Sequence, residues 1–186
     1  MANTVLVQTK CTAMDVDAYN RSAVAEKDIP NGTPLVCEGI SEDADKKQVF
    51  AVKTPTEVVK DVWLAYSPEV VITQGVGSNQ FTGIDVDPRN FTNIAGRPFD
   101  IFKPIAGVDL IQVTTPFFKA DNDPKTISNA KYVELQTDGT MAAKTTATGS
   151  FAGLQFKILT MEPIIIANGT IGGEAVDAWI LECTIN

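Results

Sequence analysis

The chain has 186 residues, a formal net charge of −8 and no histidine. A chain of this length buries enough surface to hold a core without disulfides or metals, and its 44% hydrophobic and 20% charged residues exclude an intrinsically disordered protein. Because histidine is the commonest metal ligand and a frequent general base, its absence favours a structural or binding role over catalysis.

Short runs rich in valine, isoleucine, threonine and aromatic residues, each bounded by turn residues, recur along the chain. This pattern predicts an all-β protein, a β-barrel or β-sandwich, with very little helix. In chain order the predicted strands are Val5–Lys10, Leu35–Ile40, Val49–Lys53, Val62–Tyr66, Val70–Thr73, Phe99–Phe102, Asp109–Thr115, Lys131–Gln136, Leu154–Met161, Ile164–Ala167 and Ala178–Ile185.

Local signals refine this picture. Residues that tolerate positive φ predict tight turns at Asn31-Gly32, Asp138-Gly139 and Asn168-Gly169. The apolar run Pro163–Ala167 has the length of a buried strand. One or two helical turns are predicted over Thr54–Lys60, where Thr54 and Glu57 have capping-box spacing.

Two segments, Gln74–Pro98 and Lys119–Asn129, are rich in glycine, asparagine and aspartate, and are predicted to be irregular. The first lies near the middle of the chain. We therefore expect a β subdomain over residues 1–95, with an irregular loop over 74–98, and a barrel-like β subdomain over 96–186. The alternative is one compact domain. A loop this long usually has a function or a partner, and contact with a neighbouring subunit is one such role.

The charge pattern and the cysteines limit the possible partners. The fifteen basic residues are scattered among twenty-three acidic ones, so no nucleic-acid partner is expected. No apolar stretch approaches the ~20 residues needed to cross a bilayer, and no secretory signal or membrane association is expected. Cys11, Cys37 and Cys183 are odd in number and far apart, so they are expected to pack as small apolar side chains.

Three acidic clusters offer oxygen ligands of the kind that calcium prefers: Asp15 and Asp17 with Asn20, Asp85 with Asp87, and Asp121-Asn122-Asp123. None completes a calcium-loop motif, and the favoured interpretation is a turn residue that bonds its own backbone. The glycine pairs at 75–78 and 172–173 lack the residues that follow in a phosphate loop. The sequence therefore predicts no catalytic, cofactor-binding or metal-ligating residues and no cofactor.

The aromatic residues leave one choice open. Phe117 and Phe118 are adjacent at the edge of a predicted strand, so either both are buried between two sheets, which is favoured, or one faces outward as an anchor for a partner. Trp63 and Trp179 stand inside apolar runs and are predicted to be core residues. The stretch from Met1 to Lys10 is predicted to pair as an edge strand or to reach a neighbouring subunit.

Four stretches carry a family resemblance: Met1–Val7, Asp28–Val36, Val62–Val70 and Ala106–Thr114. In these the chain resembles the decoration, or cement, proteins of tailed-bacteriophage heads. Those families keep an adjacent Gly-Asp before a strand, where this chain has Val108 between Gly107 and Asp109.

The resemblance implies a non-enzymatic structural protein of the virion, made in the host cytoplasm and bound to the outer capsid surface. The implied partners are the major capsid protein and further copies of the chain, with a trimer favoured. An alternative is a carbohydrate- or cell-surface-binding β module of a phage tail or adhesin. An enzyme of a type that the sequence does not identify is the remaining alternative.

Overall fold

The computed structural model describes residues 2–42, 48–67, 71–74, 82–85, 87–167 and 173–186. The fold is all-β, as predicted, with 42% strand and 8% helix. The helical segments among these residues are single 3₁₀ turns at Thr12–Met14, Asp17–Tyr19, Pro88–Asn90 and Thr115–Phe117.

The strands, in chain order, are β1 (Leu6–Lys10), β2 (Asn20–Val24), β3 (Pro34–Ile40), β4 (Phe50–Lys53), β5 (Trp63–Ala65), β6 (Val71–Gln74), β7 (Thr82–Asp85), β8 (Phe99–Phe102), β9 (Leu110–Thr114), β10 (Tyr132–Leu135), β11 (Met141–Lys144), β12 (Gln155–Met161), β13 (Ile164–Ile166), β14 (Glu174–Val176) and β15 (Ala178–Ile185). Every predicted strand forms, although Val70 lies outside the described residues. Strands β2, β7, β11 and β14 were not predicted.

Five strands close into a small barrel in the order β2-β4-β3-β5-β8. Strands β2 and β4 are parallel, and the other pairs are antiparallel. The interior is narrow, so small side chains fill much of it: Ala23 and Ala65 are fully buried beside Leu35 and Ile101.

The second unit is a six-stranded antiparallel sheet in the order β1-β9-β15-β12-β10-β11. Its inner face packs against the outside of the barrel. Strand β5 shows how the two units share residues, because Trp63 and Ala65 point into the barrel while Leu64 joins the core beneath the sheet. In β8, Ile101 likewise points into the barrel, and Phe102 joins the core beneath the sheet.

Strand pairing crosses the predicted boundary at residue 95 in both directions. Strand β1, from the first half of the chain, pairs with β9 in the sheet. Strand β8, from the second half, pairs with β2 and β5 and so completes the barrel. The division into subdomains 1–95 and 96–186 stays a prediction.

Two local predictions are wrong. Residues 54–60 form no helix: their β-branched valines are poor helix formers, and the segment lies against two glycine turns instead. A Cβ on Gly139 would lie 2.8 Å from the Pro55 carbonyl oxygen, and one on Gly153 would lie 2.5 Å from Val58 Cγ1. The predicted irregular loop 74–98 also contains a strand, β7, which pairs with β6.

Other local predictions are confirmed. Gly139 adopts positive φ in the turn between β10 and β11, and Gly32 does so before β3. Residues 119–129 contain no strand or helix, as predicted. The predicted turn at Asn168-Gly169 lies outside the described residues.

Candidate partner-binding surface

Asp87 and Asp123 bond nearby backbone groups, as the favoured interpretation predicts, and Asp87 also pairs with the Arg89 side chain. Asp123 accepts hydrogen bonds from the backbone N–H groups of Lys125 and Thr126 at 2.7 and 3.0 Å. Asp87 accepts from the backbone N–H of Arg89 at 3.0 Å, and Asn20 donates to the Ala13 carbonyl at 2.6 Å. Over the described ranges, no group of three or more cysteine, aspartate or glutamate residues is placed to hold a metal ion.

Parts of these motifs cannot be placed. The side chain of Asp85, the glycine-rich residues 75–78 and Gly172 all lie outside what the structure describes.

The cysteines pack as small apolar side chains. Cys11 and Cys183 are buried and belong to the core beneath the sheet, while Cys37 is half-buried beside the barrel core. Burial, with a smaller contribution from the nearby Asp109 carboxylate, raises the pKa of Cys11 and of Cys183 to about 12. These two thiols therefore stay protonated and weakly nucleophilic near neutral pH.

The adjacent phenylalanines are both buried, each only 6% exposed, so the alternative of an outward-facing anchor is wrong. Their rings meet edge to face at 5.4 Å, and Phe118 makes a similar contact with Trp179. Trp63 and Trp179 are 5% and 3% exposed, which confirms that both are core residues.

The most exposed large apolar side chain among the described residues lies on β13. Ile165 is 76% exposed, whereas its neighbour Ile166 is 3% exposed. The predicted buried strand over 163–167 is thus only half right. Among the described strands, β13 pairs with β14 alone, in a two-stranded hairpin, and Ile166 faces the body of the protein while Ile165 faces away from it.

The hairpin continues an exposed apolar stretch that begins in β12, where Leu159 is 45% and Met161 is 49% exposed. We call residues 159–166 and 174–176 the apolar arm. Single exposed apolar residues are common on protein surfaces, but three large ones within seven positions mark a candidate contact surface.

Polar contacts hold the base of the apolar arm against the sheet and against the turn after β7. The backbone carbonyl of Glu162 accepts a hydrogen bond from Gln112 Nε2 at 2.7 Å. The backbone N–H of Glu162 donates to the Ala178 carbonyl. Arg89 bridges Asp87 and Glu174 at 2.7 and 2.9 Å. Hydrogen bonds to these carboxylates raise the pKa of Arg89, and the bond from Arg89 lowers that of Asp87.

A row of side chains on the outer face of the sheet leads from the arm to the edge strand β1. In register across the sheet it contains Thr160, Ile180, Gln112 and Val7, of which Val7 is 39% exposed. Among the described strands, β1 pairs only with β9, which confirms the prediction of an edge strand. Its outer edge leaves backbone groups open to a partner strand.

In comparisons with known families, curated proteins and solved structures, no match to this chain was found. Within the part of the chain that the structure describes, no helix has the length and apolar content needed to span a membrane. The surface therefore has to be interpreted from its own geometry. An exposed isoleucine on an anchored hairpin is suited to binding another protein, and so is the open edge of β1.

Proposed function

We propose that the chain is a non-enzymatic structural protein of a virus particle, which binds the outer capsid surface and decorates or stabilises the head. The observation that carries the proposal is Ile165, 76% exposed on a strand whose next residue, Ile166, is 3% exposed. Binding of a partner that covers such a side chain removes apolar surface from water, which lowers the free energy of the complex. The family resemblance supplies the identity of the partner, the major capsid protein.

The geometry suits weak binding that is repeated over a lattice. One hairpin and a short row of side chains bury little area, so a single copy is expected to bind weakly. Copies that also contact one another, as in the favoured trimer, raise the effective concentration of the next contact. The alternative of a carbohydrate-binding module is disfavoured because both tryptophans, the natural platforms for a sugar ring, are buried.

The test is cosedimentation of the purified protein with undecorated heads of the virus whose genome carries the gene. Ile165→Ser is expected to weaken binding, and Ile40→Ser is the matched control, because Ile40 is 63% exposed on the barrel strand β3. Sedimentation of the free protein measures its oligomeric state. Equal binding by both variants excludes the apolar arm, and absence of binding by the wild type excludes the capsid proposal.

A further inference from the structure

A second surface lies at the mouth of the barrel, at the end where β2, β4 and β5 begin and β3 and β8 end. Arg21, in β2, pairs directly with Ile101 of β8, and Ile101 is a core residue of the barrel. Residues opposite each other in an antiparallel pair share a face. The half-buried Arg21 side chain therefore points into the barrel mouth.

Two aromatic rings hold the Arg21 guanidinium. Its Cζ atom lies 4.2 Å from the centroid of the Phe50 ring and 4.4 Å from that of Trp63. Contacts of this kind stabilise the cation and restrict its orientation, but they leave the N–H groups at its edge without a counter-charge. A hydrogen bond with Arg21 opposes the rise that burial causes in the pKa of Cys37.

Arg21 has no carboxylate partner among the described residues, although nearby lysines do. Lys53 pairs with Glu38, and Lys103 pairs with Asp61. Lys60, which also lines the mouth, forms no ion pair with a described residue. A half-buried cation without an anion is an incomplete arrangement, because charges removed from water are normally paired.

The mouth opens into a cavity of about 530 Å³, a volume within the usual range for small-ligand sites. Arg21 and three lysines line it, against the carboxylates of Glu57 and Asp61. The lining is therefore net positive in a protein whose net charge is −8. This local reversal of sign favours an anionic ligand.

We infer that the barrel mouth binds a carboxylate group, which Arg21 receives through two parallel N–H···O hydrogen bonds while Lys60 supplies further positive charge. A planar carboxylate matches the fixed, planar guanidinium edge. The carboxylate belongs either to a free organic acid or to an acidic side chain of a protein partner. This site is separate from the apolar arm and does not depend on the capsid proposal.

The two tryptophans provide the measurement. Trp63 lines the cavity, whereas Trp179 lies in the core beneath the sheet, so their indole N–H signals in a ¹⁵N spectrum report on the site and on an internal control. The probe is sodium succinate, titrated at constant ionic strength against sodium chloride and sodium phosphate. We expect the Trp63 signal to shift saturably with succinate alone while the Trp179 signal stays in place.

Variants test the role of Arg21. Arg21→Lys keeps the charge but loses the planar pair of donors, and is expected to weaken succinate binding about tenfold. Arg97→Gln, at an exposed arginine, is the matched control with no effect expected. If Arg21→Lys lowers the melting temperature, Lys60→Gln, which removes a positive charge but no ring contact, is expected to weaken binding without unfolding.

A pair of blocked peptides separates the two sources of the carboxylate. One carries a single aspartate and the other asparagine in its place; tighter binding of the aspartate peptide than of succinate assigns the site to a protein partner, and the reverse assigns it to a free acid. A Trp63 signal that does not move, that moves together with Trp179, or that moves equally with phosphate overturns the carboxylate assignment. So does unchanged affinity in folded Arg21→Lys or Lys60→Gln.

Discussion

Strands β5 and β13 are both three residues long and wholly apolar, yet they end in opposite environments. Trp63, Leu64 and Ala65 of β5 are all buried, whereas Ile165, at the centre of β13, is the most exposed large apolar residue described. Strand β5 has two neighbours, β3 and β8, and a core on each face. Strand β13 has one neighbour among the described strands, and Ile165 lies on its uncovered face. The comparison teaches that pairing partners decide burial where composition does not.

The largest expected effect separates the centres of these two strands. Leu64→Ala leaves a cavity at a fully buried position and is expected to lower the free energy of unfolding by about 2 to 5 kcal/mol. Ile165→Ala removes exposed surface and is expected to change it by no more than about 0.5 kcal/mol. Urea denaturation of both variants measures the difference. Equal losses would mean that the arm is packed in solution and that the comparison fails.

A polar residue extends the comparison to the sheet. Glu134 of β10 is 2% exposed, and its carboxylate accepts hydrogen bonds from Thr148 N–H, Thr148 Oγ1 and Gln155 Nε2 at 2.7, 2.6 and 2.9 Å. Glu134→Gln replaces one acceptor with a donor, so a loss of about 1 to 3 kcal/mol is expected. Glu162→Gln, at an exposed glutamate within the arm, is the control. If the Glu134→Gln variant has the melting temperature of the wild type, water and not Thr148 donates the hydrogen bonds that the carboxylate needs.

These residues also show how far the sequence leads. Alternating or continuous apolar runs predicted the all-β class and most strands. Strands such as β2, which begins Asn-Arg-Ser, and β11, which reads Met-Ala-Ala-Lys, have weak intrinsic β preference and form because neighbouring strands offer them hydrogen bonds. Local patterns do not contain that information.

The candidate sites were missed for the same reason. A run of three isoleucines predicts burial, and only the pairing of β13 with a single short strand exposes Ile165. Arg21 was not identified from the sequence, because its two rings come from β4 and β5, and only closure of the barrel brings them to it. Predictions from composition succeeded for Trp179 and for the buried cysteines, whose environment follows from their own apolar neighbours.

The pH dependence of stability tests whether the thiols are buried. The pKa of Cys183 is about 12 in the folded protein, against an ordinary value of 9.0, so the native state keeps a proton that the unfolded chain loses. Its contribution to stability is full below pH 9 and is lost as the pH rises toward 12. Between pH 8 and pH 10, Cys183→Ala is expected to lose about 1 kcal/mol less stability than the wild type.

The half-buried Cys37 is the comparison for this titration. Burial raises its pKa as well, but the hydrogen bond with Arg21 opposes the rise, so Cys37→Ala is expected to change the pH dependence less than Cys183→Ala does. Denaturation midpoints measured at intervals of pH give the slopes. Identical slopes for Cys183→Ala and the wild type would mean that the buried thiol titrates as if exposed.

The smallest expected effect concerns the base of the apolar arm. Arg89 bridges Asp87 and Glu174, but the Glu174 side chain is 49% exposed, and ion pairs in contact with water contribute little. Arg89→Gln is therefore expected to lower global stability by no more than about 1 kcal/mol. Because the β13–β14 hairpin of the arm has a single strand pair among the described strands, the loss is expected to appear there, as amide exchange in β14 that is up to about fivefold faster. Arg97→Gln, at an exposed arginine, should leave β14 unchanged. Faster exchange throughout β5 as well would show that Arg89 supports the whole fold, and that the arm is not the independently opening unit that its pairing indicates.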